Sequence, residues 1–375
     1  MPPPGDLADW ARSGAMALTG RPDGPPLVPA ARPASIVREQ LAALGLRIPG
    51  LLGERAAYAG LTRRGPWSCG GAMRILPAQD GHVALSLARP DDVALIPALV
   101  ESDAADDPWA AIGSWAAGAR ALEIEQRMEL LGLPGGAVRH GPGTRPAVLT
   151  SVHGTRSPGE RPLVVDLTSL WAGPLCAHLL GRTGARVVKV ESRTRPDGAR
   201  SGPPDFFALL HDGHEQRTLD LAEEHDLEQL HALIREADLV LEASRPRALR
   251  HLGVVAEDVV AAGTSWLSIT ACGRASDAVG FGDDVAARAG LVVPDGDDLL
   301  PVGDAIADPV VGVRAAAEAV AALASPEAVL LDVSMVEVVA ETRAPAPEHA
   351  VTRAGGRWWV EHAEGRDPVT DPERR

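Results

Sequence analysis

Between Val164 and Glu191 the chain reads VVDLTSLWAGPLCAHLLGRTGARVVKVE, an order that little but a strand–helix–strand unit accommodates. Val164 and Val165 open a short apolar run, the pattern of a buried strand. Thr168 or Ser169 stands where a helix is capped, and Gly173-Pro174 marks the turn into that helix. Leu175, Leu179 and Leu180 recur at helical spacing, and Gly184 takes the C′ position that helices give to glycine. Val187, Val188 and Val190 then form a second buried strand. A βαβ unit of this kind binds ligands beyond the carboxyl end of its first strand, here the turn leading to Ala172. Gly173 sits between Ala172 and Pro174, so the G-x-G-x-x-G loop of a dinucleotide site is missing and a nicotinamide dehydrogenase is excluded.

Charge and cysteine usage narrow the partners. The 375 residues carry a net charge of −15, with 51 acidic against 36 basic side chains, which argues against nucleic acid, since that needs a basic face. No stretch approaches the about 20 consecutive apolar residues of a membrane helix. The opening MPPPGDLADW lacks the charged-then-apolar order of a signal peptide. Cys69, Cys176 and Cys272 lie far apart without metal-ligand spacing, so no metal is expected. A cytoplasmic protein with reduced thiols is the expectation.

Four regions follow from pattern. In residues 1–62 the run ARSGAMALTGRPDGPPLVP, ending at Pro29, parallels ARAGLVVPDGDDLLP, ending at Pro301. Each has a P-D-G turn and a Leu-x-Pro exit before an Ala-rich helix. We read the first as a degenerate copy that has lost an acid: Asp308 precedes the later helix, and only Ala34 and Ser35 stand at the earlier one. Residues 63–145 predict a small α+β domain, with a hairpin turning at Asp80-Gly81 and helices up to Gly135-Gly136. Residues 140–161 read as a Gly- and Pro-rich linker. In residues 162–340 strands alternate with helices, which predicts a parallel Rossmann-like sheet covered on both faces, an α/β fold. Residues 341–375 read as a tail with one short strand at Trp358–Val360 and otherwise mobile.

Asp166-Leu167-Thr168, Ala172-Gly173-Pro174 and the strand from Gly184 to Glu191 together resemble the class III CoA-transferases, the family of formyl-CoA transferase, carnitine CoA-transferase and α-methylacyl-CoA racemase. In that family the small domain follows the first part of the large one; here it precedes it, so the chain looks permuted or partly duplicated. The resemblance implies an enzyme that moves CoA from an acyl-CoA donor to a carboxylic acid acceptor through aspartyl anhydride and thioester intermediates. It implies no permanently bound cofactor, CoA itself being substrate, and an interlocked homodimer. It assigns the nucleophile to Asp308 in VGDAIADPVVG, although Asp308-Pro309 equally reads as an N-cap and its N1 proline. It assigns CoA contacts to Ser169, Leu170, Trp171 and Ala172, with Trp171 stacking on adenine. Glu191 and Arg193 end the second strand, although Ser192 occupies the family's usual basic position. Arg245 follows Ala243-Ser244, where the family has Asn-Phe, and Asp283 (beside Asp284) lies at an acidic position between two glycine-containing turns. Cys69-Gly70-Gly71 stands near the family's glycine loop. Two alternatives remain: a degenerate homologue that binds CoA without catalysis, and an acyl-CoA racemase or isomerase. The racemase branch carries a histidine just before the acid, and here Phe281-Gly282 stands there.

Overall fold

The computed structural model describes residues 5–102, 107–141, 143–244 and 246–375. Strands β1 (Met73–Ala78) and β2 (Gly81–Ser86) form the expected hairpin, turning at Gln79 and Asp80, one residue ahead of the Asp-Gly pair. Gly135–Ala137, expected only to terminate a helix, adds a third antiparallel strand, β3. One face of this sheet buries Leu76, Val83 and Leu85 against Ile96, Leu99, Ile112 and Ile124 of its own helices. The other face lays Met73, Ile75 and Ala84 on Ala287 of the helix Gly282–Arg288.

The central sheet contains β4 (Val148–Thr155), β5 (Leu163–Asp166), β6 (Arg186–Ser192), β7 (Glu215–Leu219), β8 (Leu239–Glu242) and β9 (Ser265–Thr270). Beyond the separate hairpin β10 (Val292–Asp295) and β11 (Asp298–Pro301), β12 (Glu327–Ser334) completes it. The order is β4-β12-β9-β8-β5-β6-β7. Every pair is parallel except β12 with β4. Neighbouring residues of one strand enter different cores. Val164, Val187, Leu239 and Leu241 face one side, and Val165, Val188 and Val240 face the other. Double-sided burial is why these strands read as unbroken apolar runs. From β5 the chain runs outward to β6 and β7, then returns to β8 on the other side of β5. This reversal is a topological switch point at the carboxyl ends of β5 and β8, the place where sheets of this class bind ligands.

Helix Ala307–Ala324 packs against helix Ala172–Arg182. Gly312 makes the approach possible: a Cβ there would lie 2.7 Å from the carbonyl oxygen of Ala172. The contact brings the start of the Ala-rich helix beside the turn after β5. On its other side the same helix receives Pro33–Ala43. Trp10, Met16, Val37, Leu41, Leu51 and Leu52 of the N-terminal segment share one core with Leu175, Leu179, Val310 and Val313. The two similar runs share an element order. Asp6–Arg12 and Gly282–Arg288 precede the P-D-G turns, and Pro33–Ala43 and Ala307–Ala324 follow them.

Three expectations are corrected. The 140–161 stretch is no free linker, because β4 pairs along β12 and closes the sheet edge. Its glycines and prolines lie outside that strand apart from Gly154, where a Cβ would lie 2.2 Å from the Val260 carbonyl oxygen. The tail is not mobile past one strand. β13 (Ala350–Ala354), β14 (Arg357–His362) and β15 (Gly365–Pro368) form an antiparallel sheet, with Val360 and Val369 in the main core. Charged residues on the open face hid that pattern. Finally, neither Thr168 nor Ser169 caps the helix after β5. Trp171 holds the N-cap without a side-chain bond, and Thr168 turns back to Asp166. Gly184 follows that helix with φ +109°, as expected of C′.

Candidate active site

The turn after β5 is fixed from beneath by buried charge. Asp166 accepts from the backbone N–H of Thr168 at 2.8 Å and from its hydroxyl at 2.5 Å. Lys189 lies next to Asp166 in register on β6 and is fully buried. Its ammonium donates to the Thr168 carbonyl and, at 3.1 Å, to Asp197, with Asp166 at 3.7 Å. Asp197 in turn accepts from the N–H of Leu170 at 2.9 Å. These bonds hold Leu170 at φ +74°, a left-handed conformation costly for a branched residue unless its surroundings impose it. Ser169 and Leu170 are exposed at the tip.

The other predicted CoA contacts fare differently. Trp171 faces inward at 2% exposure, edge-on to Phe206 with ring centres 5.5 Å apart, so its faces are not open to an adenine. Ala172 is buried at the helix start. Glu191 is occupied by a forked pair with Arg200, at 2.6 and 3.0 Å, and by the N–H of Asp197 at 2.8 Å. Arg193 is exposed, with Asp226 3.9 Å away. Arg245 lies outside the described residues.

A second cluster gathers four carboxyl groups. Helix Ala307–Ala324 begins one residue before Asp308, Ile306 is its N-cap, and no side chain caps it, so Asp308 is not the cap its Asp-Pro pair suggested. It sits in the first turn, partly exposed, where the helix dipole favours an anion. Burial nevertheless pushes its carboxyl up to about 7; Arg55 opposes that shift, and Asp283, Asp304 and Asp284 add to it. Asp283 accepts from the N–H of Ala305 at 2.7 Å, bracing that residue at φ +43°; burial first and Asp304 second raise Asp283 to about 6. Asp284 is buried and accepts from Ser86 at 2.6 Å and from the N–H of Phe281 at 3.0 Å, tying β2 to the helix Gly282–Arg288. Burial raises it to about 7. Asp304 is fully buried and accepts from Arg55 at 2.5 Å. Burial raises Asp304 as well, against the pull of Arg55.

The Cys69 loop reaches this cluster. The thiol donates to the carbonyls of Gly303, at 3.3 Å, and Leu18, at 3.4 Å, and burial pushes it well above the ordinary thiol range. Arg55 also connects the two halves of the site, its guanidinium lying 5.7 Å from the centre of the Trp171 ring. Among the described residues no group of three imidazole, thiol or carboxyl side chains has metal-holding geometry. The arrangement is a carboxyl raised by burial to about 7, one turn ahead of the Gly312 that seats its helix on Ala172.

With this geometry in view, the comparisons with known proteins are specific. The model of CoA-transferase family III matches residues 162–369, more than half of the chain. The chain belongs to CoA-transferase family III. The resemblance carried by the D-L-T and A-G-P residues is thereby borne out. A succinyl-CoA:mesaconate CoA-transferase of Haloarcula hispanica is 39% identical over 92 residues, 21% of this chain and 22% of that protein. An acetyl-CoA:oxalate CoA-transferase of Acetobacter aceti is 30% identical over 110 residues, 28% of each. The family III chain thus spans about a quarter of the length of these curated relatives. Among solved structures, a hypothetical protein from Mycobacterium tuberculosis aligns with TM-score 0.48 and 26% identity, over 56% of this chain and 65% of that one.

Sequence reasoning missed Arg55, Lys189 and Asp166 as members of the site. Asp166 and Lys189 both lie within the D-L-T and Gly184–Glu191 runs, and two opposite charges inside otherwise apolar strand patterns were the available signal. Gly282 was also missed. A Cβ there would lie 2.4 Å from both the Ala305 carbonyl oxygen and Asp308 Oδ2. Gly282→Ala is therefore expected to lower stability by about 1–3 kcal/mol, the usual range for overpacking. Urea denaturation checks this, and a midpoint equal to wild type would show that the turn gives way freely.

Proposed function

We propose that this chain is a CoA-transferase that moves CoA from an acyl-CoA to a carboxylic acid, with Asp308 as nucleophile. The observation that carries the reading is the placement of a partly exposed carboxylate in the first turn of the helix that Gly312 seats on the β5 turn. Asp308 attacks the thioester carbonyl, the C–S bond breaks, and CoA leaves as thiolate with an aspartyl anhydride behind it. The thiolate attacks the aspartyl carbonyl, freeing the donor acid and leaving an aspartyl thioester. The acceptor carboxylate displaces CoA thiolate from that thioester. The thiolate then takes the new acyl group and Asp308 is regenerated. CoA runs over Ser169 and Leu170, and the exposed Arg193 meets a phosphate. A homodimer and a cytoplasmic location accompany this reading.

A second reading, CoA binding without catalysis, draws on the inward Trp171 and the occupied Glu191. Racemisation is disfavoured, since no histidine occurs between His251 and His349 to serve as the second proton-transfer group. Intact-mass measurement after incubation with a panel of acyl-CoAs separates the first two: an adduct on the peptide carrying Asp308 supports transfer, and CoA binding without one supports the second. CoA at 100 times its dissociation constant should stabilise the fold by about 2.7 kcal/mol. An unchanged melting temperature at millimolar CoA would overturn both.

A further inference from the structure

Arg55 is the basic side chain that the acid cluster uses, and it comes from the N-terminal segment, 249 positions from its partner Asp304. It stands on the helix Glu54–Ala59, against Trp171 and the Asp304 carboxyl. An arginine paired with one carboxylate commonly forms a two-pronged contact. This one does not. A single Nη donates to Asp304 Oδ1, while the buried Nε of Arg55 and the buried Oδ2 of Asp304 have no partner among the described residues. The guanidinium therefore retains an N–H donor inside a site that holds three further carboxyl groups, those of Asp283, Asp284 and Asp308. We propose that Arg55 is the shared counter-ion of Asp304 and Asp308, its unused donor serving Asp308 when that carboxylate is charged, so that the N-terminal segment completes the site. Arg55 is thus a positioning residue for Asp308. The inference rests on the reading of Asp308 as nucleophile.

Consistent with that role, burial alone would lower the arginine, yet Asp304, Asp283 and Asp308 together hold it above its ordinary value. The charged and titratable groups around Asp308 are Asp283 and Asp284 from the helix Gly282–Arg288, Asp304 from the preceding turn, Arg55, and the Cys69 thiol, which faces Asp283, Asp304 and Arg55. Removing Arg55 takes the opposing cation from Asp283, Asp304 and Asp308, while Asp284 keeps Arg288. Removing Asp304 instead takes away a repelling charge and releases Arg55.

The test is a carboxyl titration of the full chain labelled with ¹³C at aspartate Cγ, the Asp308 signal being assigned by its loss in Asp308→Asn. Arg55→Gln is expected to raise the Asp308 midpoint by about one pH unit or more, a tenfold change in proton affinity. Arg55→Lys keeps the charge without the fork and should raise it less. Asp304→Asn should lower it. A merely structural arginine predicts a lower melting temperature with the Asp308 midpoint unmoved. That result, or an unmoved midpoint in Asp304→Asn, overturns the proposal. If Arg55→Gln does not fold, the Arg55→Lys and Asp304→Asn arms still decide. The Asp308 mass adduct is measured on wild type separately. Shifted midpoints without an adduct sink the transfer reading and leave the counter-ion standing, whereas an adduct with unmoved midpoints does the reverse.

Discussion

Asp308→Asn is expected to reduce CoA transfer by at least about 10³-fold, because an amide cannot form the anhydride and the remaining groups offer no substitute nucleophile in line with it. The fold should survive the change without loss. Asp308 is not a cap, so no capping bond is removed. The pH dependence runs the same way. A carboxyl near 3.9 in the unfolded chain and about 7 in the folded one binds its proton more tightly when folded. Its contribution is therefore present at low pH and is lost as pH rises from about 4 through about 7. Above neutrality wild type carries the full penalty of the ionised, crowded carboxylate, and Asp308→Asn does not. The variant should melt no lower than wild type at about pH 8, and the gap should close or reverse toward about pH 5. Asp304→Asn belongs in the same series. Full activity in Asp308→Asn with none in Asp304→Asn would move the nucleophile to Asp304, and activity in both would refute the aspartyl mechanism. Thermal melts at the two pH values and an acyl-CoA turnover assay decide all of these.

Lys189→Met is expected to have the largest effect on stability. Methionine fills similar space, but it leaves Asp166 and Asp197 buried without their shared cation, and removing one partner of a buried pair costs about 3–5 kcal/mol. The Thr168 carbonyl also loses its donor. Since Asp197, which accepts from the Leu170 N–H, then lacks its own cation, the turn is free to leave its left-handed conformation, and CoA binding should weaken along with the fold. Urea unfolding measures the first effect. Calorimetry with CoA, at a temperature where the variant is folded, measures the second. A loss under about 1 kcal/mol would mean that the triad does not fix the turn.

How far the sequence disclosed this molecule depended on whether a residue's role was local. The β5–helix–β6 unit was legible because Val164, Val165, Val187 and Val188 are buried on both faces and so leave an uninterrupted apolar signature. β4 was not legible: it is an edge strand, and Ser151 and Thr150 face only one neighbour. Trp171 shows the limit at single positions. The same residue in the same motif serves equally as a stacking platform or as core, and only Phe206, on a later helix, decides that it points inward. Glu191 was visible as the end of a strand, but its partner Arg200 lies in a single 3-10 turn, Gly198–Ser201, within a polar stretch that shows no periodicity. Asp308 was marked by its neighbours in VGDAIADPVVG, yet its helix starts earlier than the Asp-Pro pair suggested, because Ala307 takes the first helical position. Arg55 left no trace, since nothing in its own surroundings refers to an acid hundreds of residues away.

That separation has a consequence for how the protein is made. Arg55 leaves the ribosome long before Asp304 exists; at about 5–20 residues per second the delay is about 12–50 s. Through that interval the N-terminal helices hold Trp10, Met16, Leu51 and Leu52 without the helix Ala307–Ala324 that will cover them. The segment that carries the arginine thus keeps that apolar face uncovered until the later helix has been made. The yield of correctly assembled protein should follow synthesis speed and growth temperature more closely than the final melting temperature.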